Sequence, residues 1–169
     1  MELTGNKRVE TQLRHCNIVF YNGTLHEYAT EILAQGRGNG SVYCVCEIAP
    51  EIIADMNRKG KELFSNDIII TQRQIFKYRS HPKATKGASL PLSDYYLIKE
   101  TLRNPTHIYE DIVQKRLVYV YTHPYHDKHL IKVVVEPNFK TEGTILNMTK
   151  SWGIVEKTKM KGPQYRQIK

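Results

Sequence analysis

Between residues 116 and 152, three runs rich in Val, Ile, Leu, Tyr and Thr follow one another closely: RLVYVYT (116–122), HLIKVVVEP (129–137) and GTILNMTKSW (143–152). Branched and aromatic side chains favour pleated backbone. Only HPYHDK and NFKTEG separate the runs. Links this short cannot hold the crossover that a parallel pair needs, so the runs predict an antiparallel meander.

A strand shows alternate residues to opposite faces. Ile131, Val133 and Val135 share one face of the second run, and Lys132, Val134 and Glu136 share the other. In the third, Leu146, Met148 and Trp152 form an apolar set, and Asn147, Thr149 and Ser151 a polar one. The expected sheet packs Ile131, Val133, Leu146, Met148 and Trp152 against a helix near 93–103. Its other face is partly polar and open to ligand.

Upstream, TLHEYATEILAQG has Leu25, Tyr28, Ala29, Ile32 and Leu33 at helical spacing. Thr24 is its predicted cap, with Glu27 completing a capping box and Gly36 near its end. SVYCVCEI predicts a strand with Cys44 and Cys46 on one face, and Pro50 opens a second helix. DIIIT (67–71) is a short apolar stretch. A short helix over 71–80 stops before Pro82, 83–91 is a basic loop, and Ser93 is the predicted cap of a helix ending before Pro105. His107 is read as part of a turn, and the tail from Val155 as basic and frayed.

Charge is divided unevenly along the 169 residues. Residues 1–70 hold 7 Lys+Arg and 9 Asp+Glu, a net of −2; residues 71–169 hold 18 and 8, a net of +10. A basic domain attracts polyanions, nucleic acid above all. No apolar run nears the roughly 20 residues that span a bilayer, and the polar N-terminus lacks a signal peptide's apolar core. The expectation is a cytoplasmic chain, in its host or in a target cell, with no membrane partner. Three cysteines do not make a disulfide framework.

Chemistry-bearing motifs are sparse. There is no phosphate-binding loop, dinucleotide fingerprint or nucleophile elbow. His123, His126 and His129 recur at intervals of three, but at a hairpin tip, without Cys or carboxylates at zinc-site spacing; no metal and no cofactor is expected. His81 stands apart, in KYRSHPKATK, among Lys77, Arg79, Lys83 and Lys86. Such cations favour the neutral imidazole and hence a base near neutral pH. Tyr119 and Tyr121 share a strand face and are candidates to stack bases or to pack in a core.

The order DIIIT, short helix, SHP, basic loop, a helix ending LRNPTHIYED, then RLVYVY, HLIKVVVEP and GTILNMTKSW resembles the phage-encoded branch of the Barnase–EndoU–Colicin–RelE nuclease superfamily over roughly residues 60–153. The resemblance implies an α+β fold, helices followed by a C-terminal antiparallel meander. To this would be added a mixed α/β extension (1–59) and a basic tail (154–169). It implies a toxin-like endoribonuclease of a phage or mobile element, cleaving RNA by 2′-OH attack without metal, with an immunity or antitoxin protein as partner. His81 matches the family's His-Pro histidine. Asn147 and Thr149 stand where the family often has a Thr followed two positions later by an aromatic, a departure from its pattern.

In that reading His81 is acid or base, and Lys132 with one of Arg79 or Lys86 contacts phosphate. Asn147, Thr149 or Ser151 positions the substrate, tRNA or another structured RNA, and Tyr119 and Tyr121 are the candidates to stack its bases. The first alternative is an inactive RNA-binding or virion-associated module of the same fold. A more distant one rests on IVFYNGTLHEYATEILAQG, which resembles the opening of ADP-ribosyl-transferring toxins.

Overall fold

The computed structural model describes residues 19–38, 40–80, 89–125, 127–141, 144–160 and 162–169. Thr24 Oγ1 accepts the Glu27 amide, and Gly36 closes the helix at φ 68°, so α1 spans Leu25–Gln35 between the expected signals. Pro50 opens α2 (Pro50–Arg58), and α3 covers Gln72–Ser80. Ser93 does not cap the fourth helix. It lies in a 3-10 turn (Leu92–Asp94), and α4 (Tyr96–Arg103) starts after Tyr95 with no side-chain cap.

The strands are β1 (Val19–Phe20), β2 (Ser41–Glu47), β3 (Asp67–Thr71), β4 (His107–Asp111), β5 (Arg116–Thr122), β6 (His129–Thr141), β7 (Thr144–Glu156) and β8 (Tyr165–Gln167). They form one mixed sheet in the order β1-β2-β3-β7-β6-β5-β4-β8. This corrects the expected architecture of helices followed by a C-terminal meander. The pairs β5–β6 and β6–β7 are antiparallel, but β3 lies parallel to β7 and carries the sheet on to β2 and β1. The reason lies in DIIIT: Ile68 and Ile70 enter the core under the helices, and Ile69 enters a cluster on the opposite face. A run buried on both faces belongs inside a sheet.

Strands from residues 19–47 and 67–156 thus share one sheet, and α1, α2 and α4 share one core with it. His107 begins β4 rather than a turn, and the expected frayed tail holds β8, paired with β4. Among the described residues no helix is long and apolar enough to cross a membrane.

Two bulges break the expected alternation on β6 and β7. Opposite Val134 and Val135 stand Ser151 and Thr149, so Lys150 is extra; opposite Asn147 stand Pro137 and Asn138. Asn138 takes φ 51°, a conformation its short polar side chain tolerates. Leu146 and Met148 therefore pack with Val42 and Ile69 on the back of the sheet, whereas Trp152 packs in the helix-side core. The expected single apolar set is split between the two faces. The back is not an open polar face either, since a second cluster, Val118, Val120, Leu130, Val134 and Met160, lies there. A further bulge at Val45 separates Cys44 from Cys46: Cys44 packs on the back cluster and Cys46 on the helix-side core, and burial pushes both thiols up to about 12.

Candidate nucleic-acid interface

The register of β3 on β7 ends at Ile69–Met148, whereas β7 runs on to Glu156. At that step α3 turns back over the sheet. Tyr78 Oη donates to Lys150 O at 3.1 Å, and its ring lies 4.8 Å from that of Trp152. Gln72 Nε2 donates to Ser41 O at 2.8 Å, and a Cβ on Gly38 would stand 1.7 Å from Gln72 Oε1. A side chain at position 38 would therefore displace the Gln72 amide from its bond to Ser41.

Lys150, the extra residue of the β7 bulge, lies with Nζ 4.0 Å from the centre of the Phe139 ring. Burial holds its ammonium below the usual lysine range; Glu136 opposes this, and Arg116, Lys77 and Arg73 add to it. Arg73 and Lys77 of α3 and Arg116 of β5 thus all act on Lys150 of β7 across this step. Arg116 pairs with Glu136 at 3.2 Å. With that single acid counted, the cluster carries 4 − 1 = +3.

Those of the expected site residues that lie among the described ones do not converge on this surface. Asn147 shares the face of its partner Ile68, and Thr149 that of Val135, both on the helix side. Asn147 is buried and fully engaged: Oδ1 accepts the Asn138 amide at 3.2 Å, and Nδ2 donates to Ser65 O and to Asp67 O. Asn138 completes the clamp, accepting from Phe64 N and donating to Glu62 O, each at 2.9 Å. Thr149 is also buried, and among the described residues neither its hydroxyl nor Gln74 Oε1 on α3 has a hydrogen-bond partner.

Lys132 pairs with Val120 and so faces the back, opposite Asn147 and Thr149. The polar face expected to join them does not form, because the Lys150 bulge reverses the alternation of β7. Burial lowers the Lys132 ammonium, with Asp111 opposing. Ser151 pairs with Val134 and hydrogen-bonds Tyr78.

Tyr119 is core, its hydroxyl meeting Ala49 N at 3.5 Å and burial pushing it well above the usual phenol range. Tyr121 is half-buried near Tyr96 and Tyr125, whose hydroxyls hydrogen-bond to each other. Tyr96 and Tyr125 are 51% and 68% exposed, an accessible aromatic group on the helix side. His81 and Lys86 lie outside the described residues, as does the side chain of Arg79. On either side of segment 81–88, Tyr78 and Tyr95 both pack on Trp152.

His123 is buried rather than solvated, and its Nδ1 accepts the Tyr125 amide; His126 lies outside the described residues. Sequence reasoning missed Arg73, named Lys77 only as a neighbour of His81, and missed Arg116 and Lys150. A signal existed for the first two, which stand four apart on one helix. Lys150 could not be found by alternation, because the bulge that presents it breaks the alternation.

No family model, curated protein or solved structure matches this chain.

Proposed function

We propose that this chain is a metal-independent endoribonuclease that holds RNA along the step between α3 and β7. The convergence of Arg73, Lys77, Arg116 and Lys150 carries the reading. Arg73, Lys77 and Arg116 repel the Lys150 ammonium, and a polyphosphate chain relieves that repulsion while releasing its own counterions. The accessible Tyr96 and Tyr125 add aromatic faces on which unpaired bases stack.

In the reaction the 2′-oxygen attacks the adjacent phosphorus, the bond to the 5′-oxygen breaks, and a 2′,3′-cyclic phosphate and a 5′-hydroxyl result. A base takes the 2′-OH proton and an acid supplies one to the leaving oxygen. His81, the histidine of the nuclease-like His-Pro segment, fills one of these roles. Lys and Arg stabilise charge on the pentacoordinate phosphorus. Incubation with tRNA in EDTA tests the reading through the ends formed. It predicts 2′,3′-cyclic phosphates; cleavage only on addition of a divalent metal contradicts it.

One observation favours a second reading, an RNA-binding module without turnover. Asn147 and Thr149 are buried, and Asn147 spends its amide on main-chain groups, so neither offers a group to substrate.

A further inference from the structure

Beside the cationic step lies a cavity of about 270 Å³ between the end of α2, the β4–β5 turn and the β6 bulge. Its charged lining is Lys59, Lys61, Lys115, Arg116, Asp55 and Glu110, over a floor that includes Met56, Leu117 and Pro137. The two acids are already engaged. Asp55 takes Arg58, Lys59 and Arg166, and Glu110 takes Lys59 and Arg166. Among the described residues no carboxylate pairs with Lys61 or Lys115, so two cations face the cavity uncompensated.

The turn carrying Lys115 is fixed. Asp111 accepts the amides of Val113 and Gln114 at 3.1 and 2.9 Å and the Gln164 side chain at 3.2 Å. Lys115 itself sits at φ 57°, a conformation seldom adopted by a long side chain. Arg116 belongs both to this lining and to the cluster around Lys150, making the two surfaces continuous.

We propose that this cavity takes a backbone phosphate of the RNA, gripped by Lys61, Lys115 and Arg116, and so fixes where the strand lies relative to β7. The proposal rests on the RNA reading above and names its second anchoring point. Cations on a pinned turn lose little freedom on binding, whereas solvated lysines elsewhere must be ordered first.

The test uses the full chain and a labelled single-stranded RNA, with Kd measured against salt. Lys61→Gln with Lys115→Asn removes both cations, and Asn tolerates the positive φ at 115. Affinity should fall about ten-fold near 0.1 M salt, and the log–log salt slope should become shallower by about 0.7, one phosphate contact's worth. Lys128→Gln with Lys157→Gln removes the same charge from the opposite end of the β6–β7 pair and should have a much smaller effect. Equal losses from the two pairs, or none from the first, overturn the pocket while leaving RNA binding intact. Failure of the unaltered chain to bind RNA removes both readings. Independently of folding yield, inorganic phosphate should shift the amide resonances of Val113 to Arg116; their silence contradicts the site.

Discussion

Asn147 joins three segments through one amide: the β6 bulge at Asn138, Ser65 in the approach to β3, and Asp67 within it. An alternating pattern assigns such a residue to the solvent side, and the bulges reverse that assignment. Asn147→Ala orphans two carbonyls and an amide, and should cost roughly 2–4 kcal/mol in denaturant unfolding. A loss under about 0.5 kcal/mol would mean that the clamp is not a source of stability. Asp67 makes a second prediction. Burial first, and Glu47 next, raise its carboxyl to about 6, with hydrogen bonds from Cys44 and Ser65 opposing. The folded state then holds this proton more tightly than the unfolded chain does. Stability is therefore lost as pH rises from about 4 through about 6, by about 3 kcal/mol at most. Asp67→Asn should raise the Tm at pH 8 and match the unaltered chain at pH 4; an equal difference at both pH values contradicts this.

Among the elements, those with local signals were legible. Thr24, Glu27 and Gly36 bound α1, Pro50 opens α2, and short links join the strands β5 to β7. β8 was not legible, because three residues in a basic tail carry no period. Its place is decided by Arg166, which meets the buried Asp55 of α2 with two nitrogens, at 3.1 and 2.6 Å, and Glu110 of β4 at 3.1 Å. Hydrogen bonding by Arg166 holds the Asp55 carboxyl far below the usual range, against the pull of burial. The stability this contributes is present above the ordinary carboxylate pKa and lost in strong acid. Asp55→Ala and Arg166→Ala should each cost about 2–4 kcal/mol. Because they share one interaction, the double variant should cost clearly less than the sum. Strict additivity in a thermal-unfolding cycle would show that the pair does not tie β8 to α2.

At the scale of the whole molecule, the sequence separated a near-neutral first part from a basic second part, but not the sheet that unites them. The parallel pairing of Ile68 and Ile69 with Asn147 and Met148 joins residues far apart in the chain, and no periodicity encodes such a contact. The cation cluster is a product of the same pairing. Where β3 stops, α3 folds back, and Arg73 and Lys77 come within electrostatic reach of Lys150. The central claim, that this surface delivers RNA to His81 for cleavage, is tested most directly by His81→Ala, with turnover and RNA affinity measured on one preparation in EDTA. The account predicts a rate lower by about 10²–10⁴-fold, the usual contribution of a positioned acid or base. Affinity should be nearly unchanged, because Lys and Arg dominate binding to phosphate. Unchanged turnover per folded molecule, with only a lower Tm, would contradict it.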